Sequence, residues 1–268
     1  MATEGAPLPA GLGRIPIRRA AVTTAVAAAV AVVFVHAWID VGASVSEFIA
    51  GYHGMANIIG RSWPPSSDVL HTSISDSVVT FDTALLGTAG AIILSILLVP
   101  FAARNITPHR AAYELSRALI AVTRGVPDLI WALIFVTAVG LGPFPGVLAL
   151  TVHSVGILGK LWSEAIEEMD MGPVDALRVA GANRFQVFIH AVLPGVAPTM
   201  IGLALYRFDV NFRSGLVLGF VGAGGIGFLI YNSMQLFQYQ QLLTELGVVV
   251  VFVLVLERVS TVLRARIH

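Results

Sequence analysis

The chain of 268 residues contains no cysteine. That excludes a disulfide framework, a thiolate metal site and thiol catalysis. Charge is almost as scarce: Asp, Glu, Lys and Arg make up 12% of the residues, against about 25% in a soluble domain. The 16 basic and 16 acidic side chains cancel, so no basic excess points to nucleic acid. What fills the chain is apolar, at 56% of all residues. That composition reads as a polytopic membrane protein.

Six stretches are long and apolar enough to cross about 30 Å of hydrocarbon: residues 20–39, 83–102, 118–139, 144–162, 196–219 and 243–263. Residues 1–13 are polar, contain Pro and Gly, and read as disordered. They belong to a tail, 1–19, ahead of a single transmembrane domain, 20–268. The first apolar run follows Arg14, Arg18 and Arg19, the flank of a secretory signal. Its length and the spans after it favour a retained first span. With a cytoplasmic N-terminus, the inside segments hold Arg14, Arg18, Arg19, Arg104, Arg110, Arg117, Lys160, Arg178, Arg184, Arg258, Arg264 and Arg266, and the outside segments only Arg61. This positive-inside asymmetry puts both termini in the cytoplasm.

Two spans are irregular. Pro127 falls inside the third and predicts a kinked helix from about Arg117. The segment 219–227, Gly-Phe-Val-Gly-Ala-Gly-Gly-Ile-Gly, cannot hold a regular helix cheaply and predicts a broken or re-entrant piece near the outer face.

One polar interval, 164–194, separates the fourth and fifth spans and holds Glu164, Glu167, Glu168, Asp170, Asp175, Arg178 and Arg184. Pro173 suits a first helical turn and Gly181 a break. A helix over about 173–180, a turn at Gly181, a second helix over about 183–191 and a stop at Leu193-Pro194 follow, with Pro194 suited to the start of the next span. Asp175-Ala176-Leu177, then Gly181, then Leu193-Pro194 resembles the EAA signature of ABC-importer permeases, with Asp175 where Glu is usual, Leu177 for Ala and Ala191 for Ile. The resemblance implies that this loop, through Asp175, Ala176, Leu177, Arg178, Gly181, Leu193 and Pro194, docks into a separate ATPase on the cytoplasmic face.

The fifth span contains Arg207, Asp209, Asn211 and Arg213. Charges at membrane depth normally face protein or a cavity. Arg207 with Asn211, and Asp209 with Arg213, are four apart and share helix faces. They either pair structurally or line an anion path, since a guanidinium fork fits phosphorus oxygens. Arg124 and Asp128, also four apart, read as a pair that anchors the third span near the cytoplasmic boundary, with a place on the path as the alternative. The run from Tyr206 to Ser214 with the glycine segment, Ala102-Ala103-Arg104-Asn105, Arg124 to Val136 and Val139 to Phe144 are similar to permeases of phosphonate importers, a family that includes phosphite and phosphate carriers. The similarity covers about residues 80–265.

That resemblance, together with the apolar spans, implies an all-α fold, a type I importer permease with six transmembrane helices in a bacterial inner membrane, paired with a second permease, identical or paralogous. Two ATPase subunits would sit below and an extracytoplasmic binding protein above. ATP and Mg would serve the ATPase, with no cofactor or metal in this chain. A permease for another small solute, or an ion-coupled secondary transporter, is the alternative; no inverted repeat supports the latter. His153 reads as a hydrogen-bonded core residue. Gly222-Ala223-Gly224-Gly225-Ile226-Gly227 matches a dinucleotide fingerprint, but no strand precedes it. Gly159-Lys160 lacks the first Gly and the Ser/Thr of a phosphate loop, at Ser154 and Leu161.

Overall fold

The computed structural model describes residues 17–42 and 44–266, with side chains from residue 21 onward. The expected disordered segment 1–13, and the side chains of Arg14, Arg18 and Arg19, lie outside the described residues. The chain divides into two compact units, 1–58 and 59–268. The first contains α1 (Ile17–Asp40) and most of α2 (Val45–Ser62). At 1.5 Å per residue, the 24 residues of α1 suffice to cross a bilayer.

The second unit contains α3 (Leu70–Ala102), α4 (Arg110–Gly125), α5 (Asp128–Val139), α6 (Pro143–Glu168), α7 (Gly172–Val179), α8 (Arg184–Val187), α9 (Leu193–Gly219), α10 (Ile226–Gln235) and α11 (Tyr239–Ala265). Among the described residues, five helices are long and apolar enough to span. The bent pair α4 and α5 brings the number to six if it counts as one span.

Helix α3 begins at Leu70, well before the expected 83. Its first half is rich in hydroxyls, which read as polar in sequence. In the fold, Ser73, Ser77, Thr80 and Thr83 donate to the carbonyl four residues back, at 2.7–3.0 Å, so their polarity is spent within the helix. These small residues let α3 pack closely on α6 and α9. A Cβ on Gly87 would come within 2.7 Å of Leu150 Cβ.

The third span is not a kinked helix. The chain breaks at Val126-Pro127, and α4 and α5 meet at 88°. Pro127 has no N–H, so it orphans the carbonyl of Thr123. The Trp131 indole Nε1–H donates to that carbonyl at 3.3 Å, and His153 Nδ1 donates to the Val126 carbonyl at 3.1 Å. Side chains from α5 and α6 thus replace the lost backbone bonds, and the helix can break outright.

The glycine segment does interrupt the helix, between α9 and α10. Gly222, Gly224 and Gly225 take positive φ. Gly142 N donates to Gly222 O at 2.9 Å, and Ile226 N donates to Thr80 Oγ1 at 3.1 Å. At Gly227 a Cβ would sit 1.9 Å from Leu216 O, so the crossing of α10 over α9 requires glycine.

Candidate functional site

Among the described residues, the polar features that interrupt the apolar helices include the loop from α6 to α9 and a strip on α9. In the loop, Pro173 stands in the first turn of α7. The helix ends in a Schellman arrangement, with Ala182 N donating to Leu177 O and Gly181 N to Arg178 O at 3.0 and 3.1 Å. Gly181 occupies the left-handed position, φ +84°. Helix α8 opens on a capping box: Asn183 Oδ1 accepts from Gln186 N at 2.9 Å, and Gln186 Oε1 accepts from Asn183 N at 2.8 Å.

Helix α8 does not stop at Leu193-Pro194, as the sequence suggested. A π-helical turn, Phe188–Val192, carries it into α9. The widened turn absorbs Pro194, whose missing N–H and ring would otherwise break the helix. Leu193 opens α9 and Pro194 stands in its first turn, so Pro194 begins the next span as its residue type suggested.

Val174, Val187, Ala191 and Val192 anchor the two short helices to a core that includes Leu158, Trp162 and Ile166. Leu177 packs partly buried against that core. The opposite face is open: Asp175, Ala176, Arg178, Ala180, Gly181 and Arg184 are exposed. Among them stand two apolar side chains that a free loop would have no reason to display, Val179 at 90% exposure and Phe185 at 73%. Arg178 pairs with Asp175 at 3.2 Å. The surface combines a balanced charge pair with exposed apolar area, which suits docking to another protein.

On α9, Asp209 is buried and ion-paired with Arg213, whose side chain is 52% exposed. Arg207 is 6% exposed. It does not bond Asn211 directly; both meet Ser154 of α6. Arg207 Nε donates to Ser154 Oγ at 2.9 Å, and Ser154 Oγ donates to Asn211 Oδ1 at 3.0 Å. Asn211 Nδ2 then donates to Thr88 Oγ1 on α3 at 2.8 Å. Ser154 and Thr88 were invisible as candidates, because lone hydroxyls in apolar helices usually bond their own backbone.

Arg207 Nη2 is buried with no hydrogen-bond partner among the described residues. Its nearest sequence acid, Asp209, is taken by Arg213. Asp128 lies within electrostatic reach of Arg207, as does His153. The expected Arg124–Asp128 pair is absent among the described ion pairs, because the break turns the two residues onto different helices. Arg124 is exposed in the last turn of α4, while Asp128 stands in the first turn of α5 and accepts from Leu129 N at 2.9 Å. A buried guanidinium without a paired acid is costly in a low dielectric and favours the approach of an anion.

The Asp209–Arg213 pair gives a structural prediction. Removing one partner strands a charge, and removing both does not. Arg213→Ala should destabilise the purified chain by about 1–3 kcal/mol, the lower end reflecting the half-exposed guanidinium. The double replacement with Asp209→Ala should recover most of it. Thermal melting in detergent checks this, and additive losses would count against the pairing.

Residues 101–268 match the family described as binding-protein-dependent transport system inner membrane component. The phosphite transport system permease protein PtxC of Stutzerimonas stutzeri is 42% identical over 219 residues, covering 82% of this chain and 80% of that protein. The phosphate-import permease protein PhnE of Mycolicibacterium smegmatis is 40% identical, covering 82% of this chain and 41% of that longer protein. Among solved structures, a chain of the methionine ABC transporter MetNI in an inward-facing conformation superposes with a TM-score of 0.63 at 19% identity, covering 76% of this chain and 99% of that one. A chain of a bacterial alginate ABC importer gives 0.61 at 15% identity, covering 85% and 96%. At such identities these two share the fold alone.

Proposed function

Because the chain belongs to the family of binding-protein-dependent transport system inner membrane components, we propose that it carries phosphonate, phosphite or phosphate through a bacterial inner membrane as the permease subunit of an ATP-driven importer. The substrate class is supported by the relatives, which are phosphite and phosphate permeases by name. The observation on this chain that carries it is Arg207, buried to 94% with one guanidinium nitrogen unsatisfied.

Residues 20–268 then act as one permease domain with both termini in the cytoplasm. A second permease, identical or paralogous, completes the pathway. Two ATPase subunits bind ATP and Mg and receive the exposed face of α7 and α8 at Asp175, Ala176, Arg178 and Gly181. Leu177 fixes that face from beneath, and Leu193 and Pro194 lead it into α9. An extracytoplasmic binding protein delivers the oxyanion. The oxyanion passes the polar strip, meeting Arg207 with Asn211 behind it. Asp209 and Arg213 hold the strip's shape, and Arg124 and Asp128 border it at the break between α4 and α5.

Reconstitution tests this reading. Vesicles containing the chain, its ATPase and its binding protein should accumulate phosphonate, phosphite or phosphate only with ATP, and methionine should neither enter nor compete. ATP-dependent entry of methionine with no oxyanion entry would overturn the substrate class.

A further inference from the structure

The ends of α3 and α6 and the middle of α4 meet α7 in a polar knot. Glu167 lies in the last turn of α6, where a negative charge opposes the helix dipole and is intrinsically unfavourable. Its Oε1 accepts from Arg104 N, just beyond α3, at 2.8 Å and from Arg117 Nη2 of α4 at 2.7 Å. Arg117 Nε also donates to the Ala102 carbonyl at the end of α3, at 2.9 Å. Beside it, Asn105 Nδ2 donates to the Ile166 carbonyl of α6 at 2.7 Å. The Asn105 carbonyl in turn accepts from Arg178 Nη2 of α7 at 3.4 Å.

Carbonyls at the ends of α3 and α6, which no residue of their own helices can satisfy, are therefore capped by side chains from other elements. Each cap ties a different pair of helices. Arg117 joins α4 to α3, Asn105 joins the end of α3 to α6, and Glu167 closes the triangle. Arg178, on the face offered to a partner, is bonded into the same knot. The Arg117 and Glu167 side chains are 22% and 29% exposed, and a pair still open in part to water contributes modest stability by itself. Its value lies in geometry, because it ties α3, α4 and α6 together at one place, with Arg178 of α7 bonded to that place.

We infer that Glu167, Arg117 and Asn105 form the joint through which displacement of α7 reaches α3, α4 and α6, so that Glu167 and Asn105 are positioning residues for energy coupling rather than for folding. The inference rests on the proposed docking of α7 and α8 to an ATPase.

The test is the ratio of oxyanion taken up to ATP hydrolysed, measured with the complete importer in vesicles. Glu167→Ala should lower that ratio about tenfold, within the usual span of coupling energies, while hydrolysis remains stimulated by the binding protein. Glu167→Gln keeps an acceptor oxygen at the same place and should stay within about twofold of the unaltered chain. Asn105→Ala leaves the ion pair intact and should lower the ratio by itself, so the test stands even if Glu167→Ala does not assemble. An unchanged ratio in the assembled Asn105→Ala importer overturns the joint. So does loss of stimulated hydrolysis in Glu167→Ala, which would place the defect in docking. Failure of the docking reading itself shows separately, as normal stimulation in a Gly181→Trp importer.

Discussion

Replacing Arg207 with Gln is expected to leave the importer assembled while lowering oxyanion uptake about tenfold to a hundredfold. A hydrogen bond to a charged group contributes about 1.5–3 kcal/mol, and each 1.4 kcal/mol is tenfold. The residue has the features of a site held ready for an anion. It is almost fully buried, yet its Nη2 has no partner among the described residues, and Nε is held by a neutral hydroxyl, Ser154, rather than by an acid. Gln can still bond Ser154, so the packing of α6 on α9 survives and only the positive charge is lost. Arg207→Lys separates charge from shape. A lysine keeps the charge without the planar fork that grips two oxygens at once, so uptake should fall between the two. Uptake per assembled complex is measured in vesicles, with ATP hydrolysis recorded in parallel. Full uptake by assembled Arg207→Gln would make this arginine structural and remove it from the path.

The second large effect is expected at the turn between α7 and α8. Gly181→Trp should abolish the stimulation of ATP hydrolysis by the binding protein, with the transmembrane helices still folded. Gly181 has φ +84° and nothing within 4 Å of where a Cβ would stand. A side chain here therefore starts in open space on an exposed face, and the bulk of the indole is expected to act mainly against a docked surface. Strain is the competing cause, because a left-handed residue with a side chain costs about 1–2 kcal/mol. Gly181→Ala carries the same strain without the bulk and should keep most of the stimulation. Replacing Asp175 and Arg178 together should weaken stimulation in the same sense, since it strips the charge pair from the exposed face. Helicity by circular dichroism accompanies the ATPase assay. Normal stimulation in a well-assembled Gly181→Trp importer would end the coupling assignment.

Much of this architecture is local and was therefore legible in the chain. Apolar runs of twenty residues have few fates, so the spans follow from length and hydropathy. Proline without an N–H and glycine with free φ act on their own neighbourhood. The interruption at Pro127, the turn at Gly181 and the break through Gly222, Gly224 and Gly225 each follow from residue type alone. The i,i+4 pairing of Asp209 with Arg213 is local as well.

What the sequence left open depended on groups far apart in the chain. Whether Pro127 kinks the helix or severs it was decided by Trp131 and His153, which supply the donors that proline removed. Whether Leu193-Pro194 ends a helix or sits inside one was decided by the room for a π turn packed on Trp162 and Ile166. Arg124 and Asp128 share a face only in an unbroken helix, and the break parts them. Arg207 and Asn211 needed Ser154 and Thr88, residues 53 and 123 positions from their partners, and hydroxyls of that kind look the same in sequence whether they bond their own helix or a neighbouring one. Spacing within a helix is set by its 3.6-residue period. Contact between helices is set by which small residues let two backbones approach, and only the tertiary structure decided that.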